Sequence, residues 1–158
     1  MQRINRNRQG FTLIEVVLVL AIAGLIFLVV FLALPALQRS QRDTARKSDA
    51  SRLMSQITNY QSNNQGGLPA SGSWDTTFKS AYMTAGGQQF GDPLTGAYTL
   101  TQAATTGTAP STTQGTVTIY VNARCDTDPS DGVAAGTGTR QLAIVMPVEQ
   151  GGFYCLQN

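Results

Sequence analysis

From Val16 to Leu34 the chain runs through nineteen residues without one polar side chain, and everything after Leu37 is patterned differently. A helix needs roughly 17–25 apolar residues to cross a bilayer, so this run predicts a membrane-length helix. Past Leu37 the chain turns polar at Gln38-Arg39-Ser40-Gln41-Arg42-Asp43, yet a helical period continues. Ala50, Leu53, Met54, Ile57 and Tyr60 stand at i, i+3, i+4, i+7 and i+10, one apolar stripe of an amphipathic helix. The same helix is expected to leave the apolar segment and then lie on a soluble core. Asn63-Asn64-Gln65-Gly66-Gly67-Leu68-Pro69 supplies its stop, with glycine after the last periodic residue and proline beyond.

Ser73-Trp74-Asp75 predicts the start of a short second helix, with Ser73 as its N-cap and Trp74, Phe78 and Tyr82 on one face as core. Phe90-Gly91-Asp92-Pro93-Leu94-Thr95-Gly96 is a turn cluster leading into a strand at Tyr98, and Thr101 to Gly115 reads as an exposed loop. The best strands are Thr116–Val121 and Gln141–Met146, with Phe153–Leu156 as the last. The expected fold class is α+β. A long N-terminal helix, half membrane-spanning and half amphipathic, packs its second half on a small antiparallel sheet.

Charge sharpens this picture at one end. Arg3, Arg6 and Arg8 all precede Gly10, and the remainder holds eight basic and nine acidic side chains. The basic character thus belongs to a leader that sets the cytoplasmic side of the apolar run, and direct nucleic-acid binding has no support. The later cluster Arg39, Arg42, Arg46, Lys47 and Arg52 reads either as a solvated helix face or as a contact to lipid phosphates or to acids on neighbouring subunits.

Candidate chemistry is sparse. The chain has no histidine, no phosphate-cradling glycine loop and no nucleophile elbow, so it reads as a non-enzyme without a cofactor. Cys125 and Cys155, an even pair in a chain addressed to a membrane, read as one disulfide, with two unpaired buried thiols as the alternative. Asp126, Asp128 and Asp131 form a weak calcium candidate, one residue too long for an EF-hand loop. A plain Asp/Pro/Gly turn is the other reading.

One acid stands where an acid is costly. Glu15 directly precedes the apolar run, and an ionised carboxylate in hydrocarbon costs about 2.5–3.5 kcal/mol or more, so such residues mark a function or a partner. A secretory signal has its small-residue cleavage site after the apolar core. Here the small residue, Gly10, lies before it, and cutting there keeps the helix and leaves Phe11 as the new N-terminus.

Gly10-Phe11-Thr12-Leu13-Ile14-Glu15 ahead of an apolar helix resembles the class III signal of type IV pilins and pseudopilins. The resemblance implies that a membrane-embedded prepilin peptidase cuts between Gly10 and Phe11 and that Phe11 is then N-methylated. Glu15 would meet the N-terminal amine of a neighbouring subunit, and the stretch from Gly24 to Pro35 would melt on entry into a filament. It also implies a pilin-like fold and a disulfide bounding the C-terminal part of the head. Physical reasoning gives Glu15 the same role. An amine at Phe11 sits at the positive end of the helix dipole, and a bundle in the wrong register leaves both charges unpaired. Pro35, which lacks an amide donor, predicts a kink or unwound turn.

The expected organisation is a leader at 1–10, a transmembrane and filament-core helix at 11–37, its amphipathic continuation at 38–62, and a head at 63–158. The expected function is a structural subunit, a major pilin of a type IV pilus, that polymerises with itself. Its other partners would be the peptidase, the assembly machinery and the cytoplasmic membrane that holds the single-pass precursor before it reaches the cell surface. The alternatives are a pseudopilin of a type II secretion or competence system, and a membrane-anchored binding module that never polymerises.

Overall fold

In the computed structural model, residues 10–104, 106–126, 133–138 and 140–158 are described. The chain divides after Gln38 into two compact units. One helix, α1 (Leu13–Asn63), supplies the whole described helical part of the first unit and the first element of the second.

In the first unit every large apolar side chain from Val16 to Leu37 is at least 43 % exposed, so nothing among the described residues covers this surface. By length and hydropathy the segment qualifies to cross a membrane. The unwound turn expected at Pro35 is absent, because α1 continues through Gly24 and Pro35. Pro35 still leaves the carbonyl of Phe31 without its usual amide donor.

In the second unit the periodic stripe does what its spacing predicts. Ala50, Leu53, Met54 and Ile57 are buried, with Tyr60 packed at the margin. The helix ends where the glycines begin: the Gly66 amide returns to the Gln61 carbonyl at 2.7 Å, with Gln65 and Gly66 both at positive φ.

Among the described residues six strands follow: β1 (Thr99–Gln102), β2 (Thr116–Val121), β3 (Ala123–Cys125), β4 (Val133–Ala135), β5 (Leu142–Pro147) and β6 (Phe153–Gln157). The main sheet has the order β1-β2-β5-β6, and β3 pairs with β4 in a second, two-stranded sheet. Pairing is antiparallel between β2 and β5 and between β5 and β6. β1 departs from the expected pattern by running parallel to β2, with Leu100 opposite Val117. Residues 103–115 make the crossover that a parallel pair requires. They begin two residues later than the loop expected from composition, since Thr101 and Gln102 belong to β1.

The sheet is covered on both faces. Val117, Ile119, Leu142, Ile144 and Met146 join the α1 stripe in one core, and Tyr120, Ala143 and Val145 pack with Ala123 and Val133 in another. The strand β5, central and buried throughout, is accordingly a continuous apolar run. Cys125 lies on β3, separated from β2 by Asn122 at φ 56°, where the extended backbone breaks.

Trp74–Met83 is a π-helix, closed by bonds such as Phe78 amide to Ser73 carbonyl at 3.0 Å. Its wide turn brings residues four apart nearly into line, so Phe78 and Tyr82 stack with centroids 5.2 Å apart while Trp74 meets Phe78 edge-on. Ser73 makes no capping bond; its hydroxyl donates back to the Ala70 carbonyl. This segment shields the outer edge of β1. The Asp75 carboxylate accepts from the Leu100 amide at 2.9 Å, and the Lys79 ammonium bonds both Asp75 and the Tyr98 carbonyl. A sheet edge satisfied by side chains offers no template for another strand.

Candidate assembly site

Thr12 immediately precedes α1, and Glu15 falls in its first turn. One oxygen of that carboxylate, Oε2, accepts from the Thr12 amide at 2.8 Å and from the Thr12 hydroxyl at 2.9 Å, while the Glu15 amide donates to Thr12 Oγ1 at 3.4 Å. This reciprocal arrangement is a capping box: it satisfies donors that a helix start leaves open and places a negative charge at the positive end of the dipole. The second carboxylate oxygen, Oε1, has no partner among the described residues. Gly10 and Phe11 lie just outside the helix, with Phe11 89 % exposed. The Thr-x-x-Glu spacing carries this signal in the sequence, beyond the cleavage motif in which Thr12 also stands.

At the start of the head a second cluster forms around Arg46. The Arg46 side chain is 1 % exposed, and its Nε lies 2.5 Å from Asp92 Oδ2, itself sealed from solvent. Its Nη1 reaches Asp43 Oδ1 at 2.9 Å and Glu149 Oε1 at 3.0 Å. Arg42 grips Glu149 with two bonds of 2.7 Å, and Asp43 accepts the backbone amides of Glu149 and Gln150. Asp92 also accepts from the amides of Leu94 and Thr95, each at 2.9 Å. Burial opposes the Arg46 charge, but the surrounding carboxylates hold it protonated and raise its pKa. The Asp92 carboxyl shifts the other way: burial opposes its charge, but Arg46 and the two turn amides hold its pKa below the ordinary aspartate value. The cluster ties α1 to the turn at 92–96 and to the connection after β5.

These contacts correct the reading of the basic cluster as one surface. Arg46 is buried and Arg42 is paired within the chain. Arg52 donates to the Met83 carbonyl, the Gln88 side chain and the Gln89 carbonyl, and Lys47 lies 5.6 Å above the ring of Tyr154. Arg39 alone of the five has no such contact among the described residues. None of this was visible from composition, since the acids lie as far away in sequence as Asp92 and Glu149.

The sulfurs of Cys125 and Cys155 are bonded, with Cα atoms 5.8 Å apart, joining the small sheet to β6. Gln157 reinforces the link by accepting the Cys125 amide at 2.7 Å. Of the calcium candidates, Asp128 and Asp131 lie outside the described residues. Asp126 is described, and no group of three metal-ligating side chains occurs among the described residues.

Comparison with protein families places the prokaryotic N-terminal methylation motif on residues 5–31. No curated protein and no solved structure matches the chain. The matched stretch takes in Gly10, Phe11, Thr12, Glu15 and Gly24 and stops before Pro35. It is typical of the processing region of prepilin-like chains. Together with the long apolar helix and the small sheet packed on its second half, it is consistent with a structural subunit of pilin or pseudopilin type. The apolar helix and the motif also support a membrane-anchored precursor.

Proposed function

We propose that this chain is the precursor of a filament subunit, a major pilin of a type IV pilus, whose function is assembly. Residues 1–10 are the leader, 11–37 the segment stored in the bilayer, 38–62 the amphipathic continuation and 63–158 the head. A prepilin peptidase cuts between Gly10 and Phe11 and methylates Phe11. The pilus machinery then moves the subunit from the cytoplasmic membrane into a surface fibre.

One coincidence carries this reading: the methylation motif falls on a helical segment whose apolar side chains have no cover among the described residues. Lipid covers such a surface before assembly and copies of the same helix cover it afterwards. The Phe11 amine of one copy and Glu15 of the next neutralise each other and set the stagger, since an unpaired charge in an apolar bundle is strongly disfavoured. The uncommitted oxygen Oε1 is available for that contact. The Gly24 to Pro35 stretch, already one hydrogen bond short at Pro35, is where α1 loosens on assembly.

The test is paired. Glu15→Ala should be inserted and cleaved but yield few fibres by electron microscopy, and a normal yield removes the pairing role. Gly10→Val should stay uncut, and an N-terminus still reading Phe11 would place the processing site elsewhere. Missing surface fibres in cells lacking the protein separate a pilus from a secretion pseudopilus, where fibres persist and export fails. A monomer that retains residues 1–10 would instead mark a binding module.

A further inference from the structure

Asp43, Asp75, Asp92 and Glu149 each hold a cation in a salt bridge within the chain. Asp49 holds none among the described residues. Its one hydrogen bond comes from the Tyr98 hydroxyl at 3.2 Å. Arg52, three residues on along the same helix, has its guanidinium occupied by Met83, Gln88 and Gln89. Arg46, close by, is sealed into the buried cluster. Yet Asp49 lines an open cleft of about 560 Å³ together with Gln88, Phe90, Gly91, Asp92 and Pro93. A half-buried carboxylate on a cleft wall, with no cation within salt-bridge distance among the described residues, can take one from a partner.

We infer that the cleft at Asp49 receives the guanidinium of Arg39 from a second copy of this chain. The inference rests on the filament reading above and adds a contact between heads to the contact between N-termini. Arg39, Arg124 and Arg140 are all exposed and without a salt bridge among the described residues. Arg140 already lies against Gly66, where an added Cβ would come within 2.5 Å of its guanidinium. Arg124 is on β3, in the layer on the far side of the main sheet from α1.

Arg39 lies on α1, as Asp49 does, and parallel α1 helices in a bundle bring those two surfaces together. Ten residues place them about 80° apart around the helix, two distinct patches as a head-to-tail contact requires. Their separation along the axis is about 15 Å, and the arginine stem shortens the shift needed to close it. In both pairs, Phe11 with Glu15 and Arg39 with Asp49, the cation precedes the acid. Displacing one copy forward along its neighbour therefore brings both pairs closer.

The experiment uses the full chain in assembled fibres. Asp49→Cys combined with Arg39→Cys should give dimers within fibres when treated with a bismaleimide about as long as an arginine side chain, and neither single variant should. Asp49→Arg should lower fibre yield roughly tenfold or more through like-charge contact, and adding Arg39→Asp should restore it. Normal yield from Asp49→Arg overturns the inference. So does a double swap that retains its Cys125–Cys155 bond and melting curve but forms no fibres, or a crosslink that forms from position 124 or 140 and not from 39. Glu15→Ala assembled in parallel tests the filament reading separately: its failure to assemble beside an unaffected Asp49→Arg rejects only the head contact.

Discussion

Arg46 and Asp92 meet at 2.5 Å with both side chains sealed from water, linking positions 46 residues apart. Removing one partner of a buried pair strands the other charge, at a cost of about 3–5 kcal/mol. Asp92→Asn or Arg46→Met should therefore lower the unfolding free energy of the head by that amount, read as a lower denaturant midpoint, whereas Arg39→Met should leave it nearly unchanged. Equal midpoints for all three would show that the cluster contributes nothing to the fold.

The same cluster predicts acid sensitivity. The Asp92 and Glu149 carboxyls are depressed in the folded chain, the first by Arg46 and the turn amides against its burial, the second mainly by Arg42. Groups with lowered native pKa values contribute stability above their unfolded values of roughly 4, and that stability is lost as pH falls through the depressed values. Melting temperature should accordingly fall below about pH 4, and less steeply in an Arg46→Met variant. A flat profile down to pH 2 would contradict the coupling.

Asp49 has the opposite sign. Burial, its largest influence, raises this carboxyl above the ordinary aspartate value. Its contribution is present below the unfolded pKa and is lost as pH rises through the folded one. Asp49→Asn, which can still accept from Tyr98, should therefore stabilise the isolated subunit at neutral pH and gain little at pH 3, while weakening assembly. Thermal melts at the two pH values, with fibre yield, check this trade-off. A destabilised subunit at neutral pH would refute it.

How much of this was legible depended on the range of the interactions. The span Val16–Leu34 and the stripe from Ala50 to Tyr60 are local periodicities, so both read directly. β2 and β5 announced themselves through β-branched residues, but β1 pairing parallel to β2 is a choice of topology that four residues do not encode. The π-helix was hidden because spacings of four suit an α-helix as well. At the candidate site, the Gly10–Phe11 junction and the acid at 15 are local sequence features, whereas the capping role of Thr12 shows only in the Thr-x-x-Glu spacing. Arg46 looked like one charge of a solvated face, because its acids come from a distant turn and a strand connection.

Thr12 offers a prediction that separates capping from processing. Thr12→Ala removes the hydroxyl that both donates to Glu15 and accepts its amide. The junction Gly10–Phe11 is untouched, so cleavage should proceed as in the parent. Held at position 12 only by the backbone amide, Glu15 should hold the first turn less firmly. Amide exchange at Leu13 to Glu15 in detergent micelles should be faster, with fibre yield reduced less than in Glu15→Ala. Unchanged exchange would mean that the capping box does not order the helix start.

The disulfide should act on one layer of the head before the other. It ties β3 to β6, and the two-stranded sheet it anchors buries only Ala123 and Val133 as fully covered apolar side chains. The main sheet rests instead on the α1 stripe and on β5. In the chain-entropy account a closed loop of about 30 residues contributes about 3–4 kcal/mol. Cys125→Ser with Cys155→Ser should lower stability by that amount in denaturant. Hydrogen exchange should then rise first in β3 and β4, with β2 and β5 still protected. Simultaneous loss of protection in both sheets would show that the bond holds the whole head and not its outer layer.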